Sequence, residues 1–327
     1  MPEDIESILA DAPSNWGRWG EDDERGALNL LDESQVLRGI GAVEDGEVVP
    51  LGLPIARDGG DPVWPTRSGT GHYMTRDAGQ YDAGKLDRTP YGGWRASDDV
   101  IHMFTHGSTH LDALGHVWYD DALYNGFDAG TTNGGLERCG IDAAAGSGIV
   151  GRGVLLDVAR HRGVDALDPG ERVTREELEA CADAQDVTVE PGDVLLLRLG
   201  VLERFYADGP DAFYDRYGGT HGGEPILDEP GLTYTAELAT WFQDRAIPLF
   251  GTDTVTAEQT VSEATGSRLP LHPALIRDLG ITISEMNDLS TLAERCADTG
   301  RYTFCYMASP LRIEGGTGSP VNPLAIR

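Results

Sequence analysis

The chain has 327 residues, 40% of them hydrophobic, and carries 55 acidic against 25 basic side chains for a formal net charge of −30. A surface that negative repels nucleic acid and anionic membranes, so neither is expected as a partner. Its longest apolar stretch, 194–202, is broken by Arg198 and is far too short to cross a bilayer.

In chain order, segments 47–55, 99–105, 148–158 and 193–199 are rich in Val, Ile and Leu and read as strands, as do 247–252, 280–285 and 302–313. Thr174-Arg-Glu-Glu177 is a capping box that opens a helix running to about residue 185. Segments 233–245, 272–279 and 290–297 read as further helices, the second stopped by Gly280. Strands alternating with helices predict an α/β fold.

Two stretches, 57–98 and 206–231, carry little periodic structure. The first holds Trp64, Tyr73, Tyr81, Tyr91 and Trp94; the second holds Tyr214, Tyr217 and His221. Stretches of that length are usually functional or disordered. These read either as walls of a substrate pocket, shared across an oligomer interface, or as surface excursions ordered by their own aromatics.

The densest chemistry lies in His106-Gly-Ser-Thr-His110-Leu-Asp112-Ala-Leu-Gly-His116. On a straight strand, at roughly 3.3 Å per residue, His106 and His110 would lie about 13 Å apart, a distance two imidazoles around one ion barely span. On a helix those two would be neighbours, but Asp112 would point away. The chain must therefore curl, and Gly107-Ser108 supplies the turn. Segment 99–105 would deliver this loop, with His102 packed inside the strand. Imidazole plus carboxylate suits Zn, Mn or Fe better than Ca or Mg, and the lack of cysteine argues against a closed structural zinc site. His106, His110 and Asp112 are the expected ligands. His116 reads as a further ligand, a general base or a group that steadies a ligand. Trp118 and Tyr119, just beyond it, are expected to touch substrate, as is Trp64.

The run resembles the metal-binding signature of the cyclase family, which includes bacterial-type kynurenine formamidase and isatin hydrolase, metal-dependent amide hydrolases. Asn15-Trp-Gly-Arg-Trp-Gly, Tyr124-Asn-Gly126, Gly153-Val-Leu-Leu-Asp157, Gly251-Thr-Asp253 and Gly318-Ser-Pro-Val-Asn-Pro are similar as well. The resemblance therefore covers nearly the whole chain. It implies the swivelling β/β/α architecture, a mixed barrel-like sheet flanked by helices. It also implies one cyclase-like hydrolase domain over 1–327, with 1–46 as an N-terminal arm. Matched position by position, His106, His110 and Asp112 fall on the family's first metal ligands and His116 on its catalytic histidine. His272 and Glu285 fall on the ligands of a second ion bridged by Asp112, with one more residue between them than in the formamidases. Leu114 stands where the family usually has proline, as in its longer branch.

The expected function is hydrolysis of a C–N bond in an amide, formamide or lactam, with one or two Zn or Mn ions and metal-bound water as nucleophile. A cyclase or dehydratase acting on a hydroxylated substrate, or a non-catalytic metal-binding protein, are the other readings. Gly-x-Ser-x-Gly elbows and phosphate-binding Gly-x4-Gly-Lys-Ser/Thr loops are absent from the sequence. The acidic start without a signal pattern and the unpaired spacing of Cys139, Cys181, Cys296 and Cys305 point to reduced thiols in a cytoplasm. A homodimer or homotetramer acting on a small molecule is the expected assembly.

A single lysine, Lys85, stands against 24 arginines. Unscreened, so large a net charge opposes compaction, which fits a salt-rich cytoplasm; a GC-rich genome that favours Arg and Asp codons is the plainer reading. Salt adaptation predicts a melting temperature that rises between about 0.1 and 1 M KCl, where the Debye length falls from ~10 to ~3 Å. A flat or falling profile in a thermal melt contradicts it.

Overall fold

A computed structural model describes residues 4–86 and 92–327; Tyr91 lies outside them. Nine strands form one curled, mixed sheet in the order Val48–Pro50, Leu324–Ile326, Thr303–Ala308, Ile149–Asp157, Val194–Arg198, Leu249–Thr252, Thr282–Glu285, His110–Asp112 and Gly318–Pro320. The centre is parallel, from Ile149–Asp157 through Val194–Arg198 and Leu249–Thr252 to Thr282–Glu285, and every pairing outside it is antiparallel. Parallel neighbours require crossovers, and helices such as Arg175–Ala184 and Ala236–Asp244 provide them. Val194-Leu-Leu-Leu-Arg198 is buried at every position, because helices and loops cover both of its faces. Apolar side chains collect in a core on each face of the sheet.

The caps follow the sequence. Thr174 accepts a hydrogen bond from the Glu177 amide (3.3 Å) and Thr235 one from the Leu238 amide (3.1 Å). Most strands are shorter than their apolar runs. Residues 47–55 pair only over Val48–Pro50, and 302–313 only over Thr303–Ala308, before Ser309-Pro310 ends donation to the ladder.

Three expectations are corrected. Residues 206–231 are ordered rather than aperiodic: helices Val201–Asp208 and Pro210–Tyr217 are followed by a hairpin of Gly218–His221 with Glu224–Leu227. The strand expected at 99–105 is Asp98–His102. It pairs only with Gly71–Arg76, outside the main sheet, and His102 is exposed on that ribbon rather than packed inside. Residues 272–279 form not an α-helix but one α-turn, Leu271–Pro273, running into a π-helical turn, Ala274–Asp278.

The N-terminal segment braces that turn. Asn15 N donates to Asp278 O, Asn15 Nδ2 to Leu279 O and Trp16 Nε1 to Arg277 O (2.9, 2.9 and 2.7 Å), and Ala27 N donates to Gly280 O (2.7 Å). These bonds satisfy carbonyls that a helix end leaves without partners. Gly26, at φ 57°, makes the close approach possible, since a Cβ there would press into the Gly280 carbonyl. Asn125 ties the same segment to the loop beyond His116, donating to Gly20 O and accepting from Gly17 N. The four cysteines are buried and free. Among the described residues, no helix is long and apolar enough to cross a membrane.

Candidate metal centre

The histidine run curls as its spacing requires. Gly107 N donates to Phe104 O (3.0 Å) and Ser108 takes the left-handed conformation at φ 56°, turning the chain so that His106 folds back over the strand His110–Asp112. Side chains alternate along a strand, so His110 and Asp112 share one face and Leu111 enters the core. Thr282–Glu285 lies alongside with Glu285 opposite His110, and Gly318–Pro320 flanks the other edge. A Cβ on Gly318 would meet the His106 ring at 2.6 Å, so glycine there makes room for the imidazole.

These constraints bring five groups together. His106 Nδ1 lies 2.7 Å from Asp112 Oδ1, and His110 Nε2 lies 3.5 Å from that same oxygen and 3.1 Å from Glu285 Oε2. His272 Nε2 is 3.2 Å from Glu285 Oε1. The ligand atoms of His106, His110 and Asp112 all fall within 4.8 Å of one another, as do those of Asp112, His272 and Glu285, with Asp112 common to both groups. Two rings are fixed from behind. His110 Nδ1 donates to Ser108 O (2.9 Å), and His272 Nδ1 donates to Glu258 Oε1 (2.6 Å). Each thus turns Nε2 inward, an arrangement typical of metal-ligating imidazoles.

The polar atoms fit a cation. His110 Nε2 and Asp112 Oδ2 are buried without a hydrogen-bond partner among the described residues. Buried polar atoms rarely stay unmatched, and an ion accounts for both. Electrostatics agree. Burial would depress His110, but its contacts with Asp112 and Glu285 outweigh that and raise it to about 9. Burial also opposes a charge on His272, yet Glu258 and Glu285 hold its pKa well above the usual value. Burial would likewise raise Asp112, whose surrounding imidazoles instead hold it well below the carboxylate range. Positive charge is demanded here, and protons supply it where an ion does not.

His116 stacks on His106 with ring centroids 4.0 Å apart and 26° between planes. Burial lowers its pKa to about 3, with the neighbouring His106 and His272 and the charge of Arg67 adding to the effect and Asp112 opposing it. The ring is therefore neutral at ordinary pH. It lines a cavity of about 440 Å³ with Trp64, Trp118, Thr256, His272, Glu285 and two arginines, Arg67 and Arg268.

Tyr119 is placed elsewhere. Its hydroxyl donates to the Asp278 carboxylate (3.0 Å) and its ring stacks under Arg277, on a separate cavity beside the N-terminal segment. Neighbouring side chains on extended backbone diverge, so Trp118 faces the centre and Tyr119 does not. Tyr214 and Tyr217 bond the Val63 amide and the Leu167 carbonyl and also lie off the cavity wall.

Two contributors carry no signal of spacing. Glu258 accepts from the His272 side chain and amide and from the Leu271 amide, which pins the turn that bears His272. Arg67 donates to the His106 carbonyl (3.0 Å) from within the 57–98 stretch. Its place beside Trp64 was the one available hint.

A family model described as "Putative cyclase" matches residues 49–259. The solved structure of a novel cyclase is 33% identical and superposes with a TM-score of 0.84 over 96% of this chain and 100% of that one. Isatin hydrolase A from Labrenzia aggregata, bound to benzyl benzoate, is 21% identical with a TM-score of 0.58, over 89% of this chain and 97% of its own. An isatin hydrolase bound to the product analogue thioisatinate gives 18% and 0.57, over 90% and 98%. At those two identities the likeness is one of fold. A search of curated proteins found no match.

A cation entering this centre displaces protons from His110 and His272. Below the His110 pKa of about 9 the proton displaced there raises apparent affinity tenfold per pH unit, and the raised pKa of His272 acts in the same direction, so Zn or Mn binding strengthens at least tenfold per unit from pH 6 to 8. Competition titration with a chelator measures this, and His110→Ala loses most of the bound metal. A pH-independent affinity, or full metal content in the variant, contradicts the assignment.

Proposed function

Because this chain belongs to the cyclase family, we propose that it is a cytoplasmic metal-dependent hydrolase that cleaves the C–N bond of an amide, formamide or lactam. The observation that carries this reading is the partly exposed His116 that stacks against the candidate ligand His106 and lines an aromatic-walled cavity. A purely structural ion has no need of a free imidazole beside it. The fold shared with isatin hydrolases supports the same reaction class.

His106, His110, Asp112, His272 and Glu285 are the residues that would hold one or two ions. A bound Zn or Mn would polarise the substrate carbonyl and make water nucleophilic near neutral pH. His116 takes the proton of the attacking water as the new C–O bond forms. Asp112, close enough to stabilise the resulting imidazolium, favours that transfer. A weakly basic imidazole keeps the proton only briefly, so His116 hands it to the leaving nitrogen as the C–N bond breaks. The products are a carboxylate and an amine.

Trp64 and Trp118 supply flat apolar walls for an aryl group, with Trp118 45% exposed at the entrance. The exposed apolar side chains of the outlying ribbon, Tyr73, Met74, Val100 and Ile101, suit self-association as a homodimer or homotetramer.

His116→Ala is expected to keep fold and metal while kcat on a small aryl amide or lactam falls roughly 10²- to 10⁴-fold. Metal analysis beside steady-state kinetics checks both halves. Joint loss of metal and activity makes His116 a ligand, and full turnover removes it from the mechanism. Reaction in ¹⁸O-water places one solvent oxygen in the carboxylate; a product without it is a lyase product.

A further inference from the structure

With 55 acidic groups for 25 basic ones, Coulomb attraction brings a carboxylate to most guanidinium groups in this fold. Arg38 and Arg152 share Glu190 and Asp193; Arg198 engages Asp157 and Glu203; Arg162 engages Glu171 and Glu177. Arg268 is different. It makes no side-chain hydrogen bond or ion pair among the described residues, yet it lines the cavity that holds His116, His272 and Glu285. Arg67, on the same cavity, uses Nη1 on the His106 carbonyl and has no carboxylate partner among the described residues.

Among the described residues that line the cavity Glu285 is the one carboxylate, and it is already engaged with His110 and His272. Two guanidinium groups thus present free donors to one cavity in a protein whose overall field repels anions. A ligand that brings its own negative charge meets both conditions. It overcomes the long-range repulsion only where arginines reverse the local sign, and fork-shaped, charge-assisted hydrogen bonds are roughly twice as strong as neutral ones.

We propose that the cavity selects a substrate that carries a carboxylate on its flat aromatic part, separate from the bond that is cleaved, and that Arg67 and Arg268 hold that carboxylate. The proposal rests on the hydrolase reading above and narrows it to aryl amides or lactams bearing an acidic substituent. Trp64 and Trp118 take the ring, and the two arginines set its orientation toward His116.

The test compares 3- and 4-formamidobenzoate with formanilide, which share the scissile bond and differ in charge. The expected kcat/KM for at least one carboxylated substrate is tenfold or more above that for formanilide, chiefly through KM, and the ratio falls as KCl is raised. Arg268→Ala lowers the ratio at least tenfold and Arg268→Lys restores part of it. A ratio near one in the unaltered protein, or one that neither Arg268→Ala nor Arg67→Ala moves, overturns the proposal and leaves the hydrolase reading standing. If none of the three compounds is cleaved, the hydrolase reading fails for this class. Calorimetric binding of benzoate and benzamide to the metal-loaded protein then decides the proposal. Benzoate binding weakened at least tenfold by Arg268→Ala supports it. Equal binding to both proteins overturns it, because a carboxylate that merely sat on the ion would ignore Arg268.

Discussion

Buried negative charge is the constraint on which this structure turns. Asp112 and Glu285 are almost wholly removed from water within reach of one another, and His106, His110 and His272 crowd around them. Isolated carboxylates in such a place are costly unless positive charge lies between them. Either the imidazoles carry it as protons or a cation does. Asp112 Oδ2 favours the cation, since it is buried and the imidazoles leave it without a hydrogen-bond partner among the described residues.

The scaffold serves that constraint from three directions. An antiparallel edge of the sheet presents His110, Asp112 and Glu285 in fixed register, so their relative positions are those of the backbone ladder. His272 arrives on the short α-turn that runs into a π-helical turn, a form that recurs at functional sites, and the far end of that turn is held by Asn15, Trp16 and Ala27. Arg277 then joins this turn to the loop beyond His116. It donates to Ala122 O, pairs with Asp278 and lies between Trp16 and Tyr119. The residue that would move protons and the residues that would hold the ion therefore sit on elements locked to each other outside the cavity.

How much of this was legible depended on sequence distance. His106, His110 and Asp112 could be read together because a single turn at Gly107-Ser108 suffices to join them, and glycine and serine announce it. His272 and Glu285 came only by resemblance, since nothing local tells a strand which partner it will meet. Glu258 lies in a threonine-rich loop whose chemistry appears only once His272 packs against it. Residues 206–231 hid two helices because each has eight residues, too few for a 3.6-residue period to emerge, and Gly209-Pro210 divides them. His102 was misread because alternation in a strand implies a buried face, and a two-stranded ribbon outside the sheet has none.

The most direct test of the metal centre is anomalous diffraction from crystals of the metal-loaded protein, recorded on both sides of the absorption edge of the ion it carries. The account predicts a peak about 2.0–2.2 Å from ligand atoms of His106, His110 and Asp112, the distance expected for nitrogen and oxygen ligands. A second ion would appear between Asp112, His272 and Glu285. A loaded protein whose anomalous peaks fall elsewhere, with these five side chains still bonded only to one another, would contradict it.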